Sequence, residues 1–115
     1  MGNDILFKEK EAVIYCRSAL HGNDGTIESW AQSDSIRRWA SKQDVTIAGE
    51  FYEISDTTEY PRKILKMAID QTRKSRASFL ICYNPSRLTQ DQKELELMKK
   101  HLGKKQIYCL EGDFL

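Results

Sequence analysis

Arg17, Ser18 and Arg87 are the residues whose types and placement could do chemistry. Arg17 and Ser18 close the run AVIYCRS, and Arg87 stands in NPSRL behind another apolar run. A guanidinium holds its charge at any physiological pH and presents a fork of donors that fits phosphate oxygens. Two of them at the ends of neighbouring strands would form an anion site. A hydroxyl beside them, Ser18, would supply a nucleophile for phosphoryl transfer without a metal. The competing reading is that both arginines are solvated strand ends.

Such a site needs elements to position it, and the pattern supplies them in alternation. EAVIYCR is a β-branched and aromatic run that predicts a buried strand, and LHGNDG is a loop. From Thr26 to about Lys42 there is no proline, and Ile27, Trp30, Ala31, Ile36, Trp39 and Ala40 recur at helical spacing, so both tryptophans are expected in the core. VTIAGEFYE predicts a second strand. Thr58 as N-cap with Pro61 in the first turn predicts a helix carrying Ile64, Leu65, Ala68 and Ile69 inward and ending near Ser75. ASFLICY reads as a central strand buried on both faces. NPSRLTQD turns into a third helix with Leu88, Leu95, Met98 and Leu102 inward and Gly103 as its stop, and QIYCLEG is the last strand.

Strand and helix alternating in this way predict an α/β fold of three layers: a mainly parallel four-stranded sheet with helices on both faces. The expectation is one domain over residues 1–115, with 1–10 as an N-terminal tail. In such a sheet the binding crevice lies at the carboxyl ends of the strands, where Tyr15–Ser18, Glu53–Asp56 and Asn84–Arg87 fall.

The same residues resemble a known family. AVIYCRSA is similar to the opening strand of the resolvase/invertase-type serine recombinases, in which a tyrosine, an arginine and the catalytic serine follow at alternate positions. Gln32 with Ile36, Trp39 and Ala40 resembles the family's first helix. GEFYEISDTTEYPRKILKMA is similar to its second strand, acidic turn and Arg-Pro helix start, FLICYNPSRLTQDQKELELMKKHL to its strand and Asp-Arg-Leu-Ser-Arg helix start, and KKQIYCLEG to its last strand. The resemblance runs from Ala12 to Gly112 in order. It implies a resolvase-like fold and DNA strand cleavage and exchange through a phosphoseryl link, with arginines stabilising the transition state and no metal or cofactor. Carried onto this chain, it implies Ser18, Arg17 and Arg87 as the catalytic set and Tyr15, Gln32, Asp56 and Arg62 around the substrate. It also implies DNA as the partner and self-association to a homodimer or homotetramer, in a protein of a mobile element.

The departures lie at the centre of the pattern. Ala19 stands where the family's nucleophile belongs, with Ser18 one position early; Tyr60 replaces the arginine before the proline, Ser86 the acidic residue and Gln90 the second arginine. Because side chains alternate along a strand, Ser18 faces away from Arg17 unless the backbone has already turned. Arg62 restores one charge from a different helical position, while Glu53 with Asp56 or Thr57 resembles the acidic and hydroxyl positions. The family continues into a long dimer helix and a DNA-binding domain, and this chain ends at Leu115. A fragment and a stand-alone relative remain alternatives, as do a cleaving enzyme and a non-catalytic module that binds DNA or a protein.

Composition narrows the remaining classes. No apolar run spans a bilayer and the start lacks signal-peptide order, so a cytoplasmic protein without membrane attachment is expected. Cys16, Cys82 and Cys109 are far apart inside apolar stretches, which reads as reduced packing and not as a metal or disulfide scaffold. No glycine-rich phosphate loop is present, against a common nucleotide fold. The net charge is +1, yet residues 1–61 hold six basic against eleven acidic side chains and residues 62–105 twelve against four, about +8 in the second stretch. That excess fits a polyanion, or two solvated helix faces.

Overall fold

In the computed structural model, which describes residues 7–20, 22–55, 62–89 and 91–115, the buried run at the start of the sequence is the hinge of the sheet. Strand β1 (Glu11–Ser18) has every residue from Ala12 to Ser18 buried, because it is flanked by strands on both edges and helices on both faces. The chain continues through α1 (Gly22–Gln43), β2 (Thr46–Ile54), α2 (Lys63–Lys74), β3 (Phe79–Cys82), the single turn α3 (Pro85–Leu88), α4 (Gln92–Leu102), β4 (Gln106–Cys109) and β5 (Asp113–Phe114). The sheet order is β2-β1-β3-β4-β5. The first four strands are parallel, as predicted. The fifth corrects the expected four: the last residues turn back and pair antiparallel with β4.

Alternation along β1 divides the core. Ala12, Ile14 and Cys16 face α1, packing with Ile36 and Ala40. Val13 and Tyr15 face the opposite layer, packing with Leu65, Ala68 and Ile69 of α2 and Met98 and Leu102 of α4. Strand β2 is out of step at Ala48: Ala12 pairs with Ile47 but Val13 with Gly49. This one-residue bulge turns the following residues over, so that Glu53 lies beside Arg17 in the register.

Three expectations about packing change. Ile27 and Trp30, expected inward, are 61% and 62% exposed, and the inward stripe of α1 is Gly25, Ser29, Gln32, Ser33, Ile36 and Ala40. At the start of the helix the reason is proximity: a Cβ on Gly25 would stand 2.2 Å from the Leu20 carbonyl oxygen, so a glycine is required there. Phe7, assigned to a tail, is buried in an aromatic cluster, edge-on to Trp39 at 4.8 Å and stacked on Phe114 at 5.8 Å. Trp39 is stacked on Tyr108 at 5.1 Å, as its core assignment requires. Helix α2 starts at Lys63 after an extended Arg62; Thr58 and Pro61, expected to begin it, lie outside the described residues. Gly103 ends α4 with φ 65°, in the left-handed region that suits glycine.

Candidate functional site

The chain leaves β1 toward β2 at one edge and returns across it to β3, so the carboxyl ends of β1 and β3 form the switch point of the sheet. Arg17 sits there, 5% exposed, and all three of its guanidinium nitrogens are engaged. Nε donates to the Arg87 carbonyl at 3.1 Å, Nη1 to the Ser55 carbonyl at 2.7 Å and Nη2 to the Ser86 carbonyl at 3.0 Å. One side chain thereby ties the loop after β2 to the turn after β3. Burial, followed by the nearby Arg62 and Arg87 charges, lowers Arg17 from the ordinary guanidinium range.

Gln32 explains how the backbone of Arg17 is held. Strand β3 pairs with β1 only from Ala12 to Ile14, which leaves the amide and carbonyl of Arg17 beyond its reach. Gln32 fills the gap from α1: its Nε2 donates to the Arg17 carbonyl at 2.8 Å and its Oε1 accepts from the Arg17 amide at 3.3 Å. A buried amide pair of this kind replaces one rung of sheet. Its role here is to position Arg17.

Below Arg17 lies a buried network of Tyr15, Glu53 and Arg62. The Tyr15 hydroxyl donates to Glu53 Oε1 at 2.6 Å, and Glu53 Oε2 accepts from the Ile64 amide at 3.0 Å in the first turn of α2, where a carboxylate meets unpaired amides and the positive end of the helix. Arg62 Nε lies 3.3 Å from the Tyr15 hydroxyl and 3.4 Å from Glu53 Oε1, and its Nη2 donates to the Leu88 carbonyl. Burial and the bond to Glu53 push the Tyr15 phenol up, so it remains a donor. Nη1 of Arg62 is buried without an acceptor among the described residues. The Glu53 carboxylate thus pairs with Arg62 in a largely water-free setting, with Arg17 close by but held on backbone carbonyls.

Arg87 is drawn to the site by its backbone and away from it by its side chain. Asn84 caps α3, its Oδ1 accepting from the Arg87 amide at 3.2 Å, and this sets the carbonyls of Ser86, Arg87 and Leu88 toward the two buried arginines. The Arg87 guanidinium turns instead to Glu28 on α1, with Nη1 2.8 Å from Oε1. Its Nε is buried with no partner among the described residues.

Ser18 is not brought into this group. It is fully buried, paired with Ile54 in the register on the α1 side of the sheet, and its Oγ accepts from the Leu20 amide at 3.0 Å. Ala19 is exposed. Asp56, Tyr60 and Gln90 lie outside the described residues. Of the expected set, Arg17, Tyr15 and Arg62 meet in one cluster, Gln32 supports it from behind, Arg87 joins by its carbonyl, and Ser18 faces the other layer. Glu28, and the carbonyls of Ser55 and Leu88, were not foreseen. No local spacing marks them, since each meets its arginine only through the crossover connections.

On the same side of the sheet as the Tyr15 network, α2 and α4 pack side by side and flank a groove of about 250 Å³ lined by Lys66, Ile69, Asp70, Arg73 and His101. Lys63, Lys74, Lys99 and Lys100 are exposed on the same two helices. Among the described residues no group of three or more His, Cys, Asp or Glu side chains could hold a metal, and no helix is long and apolar enough to cross a membrane.

The fold has counterparts among solved structures. The catalytic domain of the TP901-1 integrase superposes with a TM-score of 0.74 over 90% of this chain and 79% of that one, at 16% identity. A resolvase family site-specific recombinase from Streptococcus pneumoniae gives 0.72 over 91% and 74%, at 17% identity. The C-terminal catalytic domain of ISC1926 TnpA, an IS607-like serine recombinase, gives 0.72 over 88% and 70%, at 19% identity. At these identities the likeness is one of fold. A comparison with curated proteins finds no match. The model of the resolvase N-terminal domain matches residues 12–111, which takes in both buried arginines, their carbonyl partners and the whole parallel sheet, and this chain therefore belongs to that family.

Proposed function

We propose that this domain engages the DNA backbone through its α2 and α4 flank and does not cleave it. The observation that carries the reading is the division of Arg17 and Ser18 between the two faces of β1. The serine hydroxyl of the strand-end motif is spent on the Leu20 amide in one layer, while the guanidinium meant to stand beside it is spent on three carbonyls in the other. A covalent mechanism needs nucleophile and anion-binding donors around one phosphorus atom. Removing even one transition-state donor costs roughly 10²–10³ in rate, so a separation of the whole set leaves no route to cleavage. Attraction to a phosphate backbone asks for much less, namely a cationic surface, and the Lys66–Arg73 groove with its neighbouring lysines supports it.

The cleaving alternative, with Ser18 as nucleophile and Arg17, Arg87 and Arg62 on the phosphate, keeps one observation in its favour. Nη1 of Arg62 is buried with no acceptor among the described residues, and a phosphate oxygen is the kind of group that would satisfy it. A nicked, end-labelled duplex that traps covalent intermediates separates the two. Non-cleaving binding gives a retarded complex that salt and detergent both dissolve. A detergent-resistant protein–DNA species that disappears in Ser18→Ala would establish the enzyme instead.

A further inference from the structure

Among the described residues, a pair of reactive side chains with no part in the arginine cluster lies at the end of the β3–β4 pair. Cys82 and Cys109 are direct partners in the parallel register, both fully buried, with their sulfurs 3.2 Å apart. The third cysteine, Cys16, belongs to the opposite layer of the core. We propose that Cys82 and Cys109 form an oxidation site that closes to an intramolecular disulfide when the protein meets a peroxide.

Three features support this beyond proximity. Register pairing fixes the two backbones at the spacing of adjacent strands, within the Cα separation that a disulfide spans. The pair is chemically uneven: the contact between the two sulfurs, in which either can donate, raises the Cys82 thiol together with burial and lowers Cys109. Cys109 is therefore the attacking sulfur and Cys82 the resolving one. Finally, the cover over Cys109 is slight. Gly112 lies so close that a Cβ there would be 3.2 Å from Cys109 Cβ, and it belongs to the turn before β5, a strand of two residues. Opening a strand that short costs little compared with unfolding, and it admits a small oxidant.

The reaction balances with one peroxide. The Cys109 thiolate attacks a peroxide oxygen, the O–O bond breaks, and a sulfenic acid forms as the leaving hydroxide takes up a proton to become water. The Cys82 sulfur then attacks the sulfenic sulfur, the S–O bond breaks, and the second water leaves with the Cys82 proton. Two thiols and one peroxide become one disulfide and two waters. Drawing the sulfurs to about 2.05 Å pulls on the end of β3, two residues before Asn84, the cap that sets the Ser86, Arg87 and Leu88 carbonyls on the arginines. Oxidation would thus be felt in the arginine cluster, whatever that cluster binds.

The test treats the folded full chain with graded hydrogen peroxide, alkylates the denatured protein, and maps the peptides by mass. The expected product has lost two of its three thiols, carries a Cys82–Cys109 link, keeps Cys16 free for alkylation, and is restored by dithiothreitol. In Cys82→Ser the reaction should stop at a sulfenic acid on Cys109 that dimedone traps, with circular dichroism reporting that the variant is folded. Retention of all three thiols, a link through Cys16, or conversion of single cysteines to sulfinic acid in the parent chain overturns the proposal. These readouts come from the unmodified sequence, so they hold even if the serine variant fails to fold.

Discussion

Arg17 meets Arg87 at its carbonyl oxygen and not at its side chain, with Nε 3.1 Å from that oxygen. The two residues that could have formed a double guanidinium site instead stand in a donor and acceptor relation, while the Arg87 side chain pairs with Glu28 across the top of the sheet. The adjacency of β1 and β3 produces this contact, and it makes Arg17 part of the frame that holds the switch point together.

The Tyr15–Glu53–Arg62 network should dominate local stability. Tyr15→Phe removes the 2.6 Å bond and leaves Glu53 with one fewer donor, an expected loss of about 1–3 kcal/mol in urea unfolding. Glu53→Ala leaves the buried Arg62 cation without its carboxylate, for which about 3–5 kcal/mol is expected. Near-equal, small losses from both would mean that the network is solvated.

Acid sensitivity should have one identifiable contributor in Glu50. The Arg37 guanidinium, reinforced by hydrogen bonds from Ser33 and Tyr52, holds the Glu50 carboxyl below its ordinary value. With the folded value depressed, the unfolded chain binds more protons in the acid range. The stabilisation is therefore full above the unfolded value of about 4.3 and is lost as pH falls through the folded one. Glu50→Gln should flatten the slope of stability against pH below about 4.3 while changing little in the slope near neutrality. An unchanged acid slope would remove Glu50 from this role.

Much of the fold was legible because parallel crossovers leave strong periodic signals. The uninterrupted FLIC run became a strand with all four residues buried, and the Met98 and Leu102 stripe became the inward face of α4. Helix α1 was misread on its faces because its inward residues are glycine, serine and glutamine, chosen for close approach and hydrogen bonding and silent in any hydrophobic pattern. The site was half legible. Tyr15, Arg17 and Arg62 do converge, but the face of Glu53 depends on the bulge at Ala48, and a one-residue irregularity in a parallel pair leaves no mark in the sequence. The opposition of Ser18 and Arg17 followed from strand alternation alone, since β1 continues through Ser18 before turning.

DNA affinity should depend on the α2 and α4 flank. Log affinity is expected to fall linearly with log salt, and reversing Lys66 and Arg73 to glutamate should reduce that slope by about 2 in fluorescence anisotropy, one for each lost phosphate contact. Reversing Arg38 and Lys42 on α1 should leave it near the parent value. The opposite pattern would move the interface to the other layer, and no binding at low salt would remove DNA as the partner.

The role of Arg17 is measured most directly by recording unfolding free energy and DNA affinity together for Arg17→Lys. A lysine cannot serve the three carbonyls of Ser55, Ser86 and Arg87 with the same fork, so stability is expected to fall by at least about 1–3 kcal/mol while the affinity of the folded protein stays near that of the parent. Unchanged stability with a tenfold or greater loss of affinity would contradict this, and would make Arg17 a phosphate ligand.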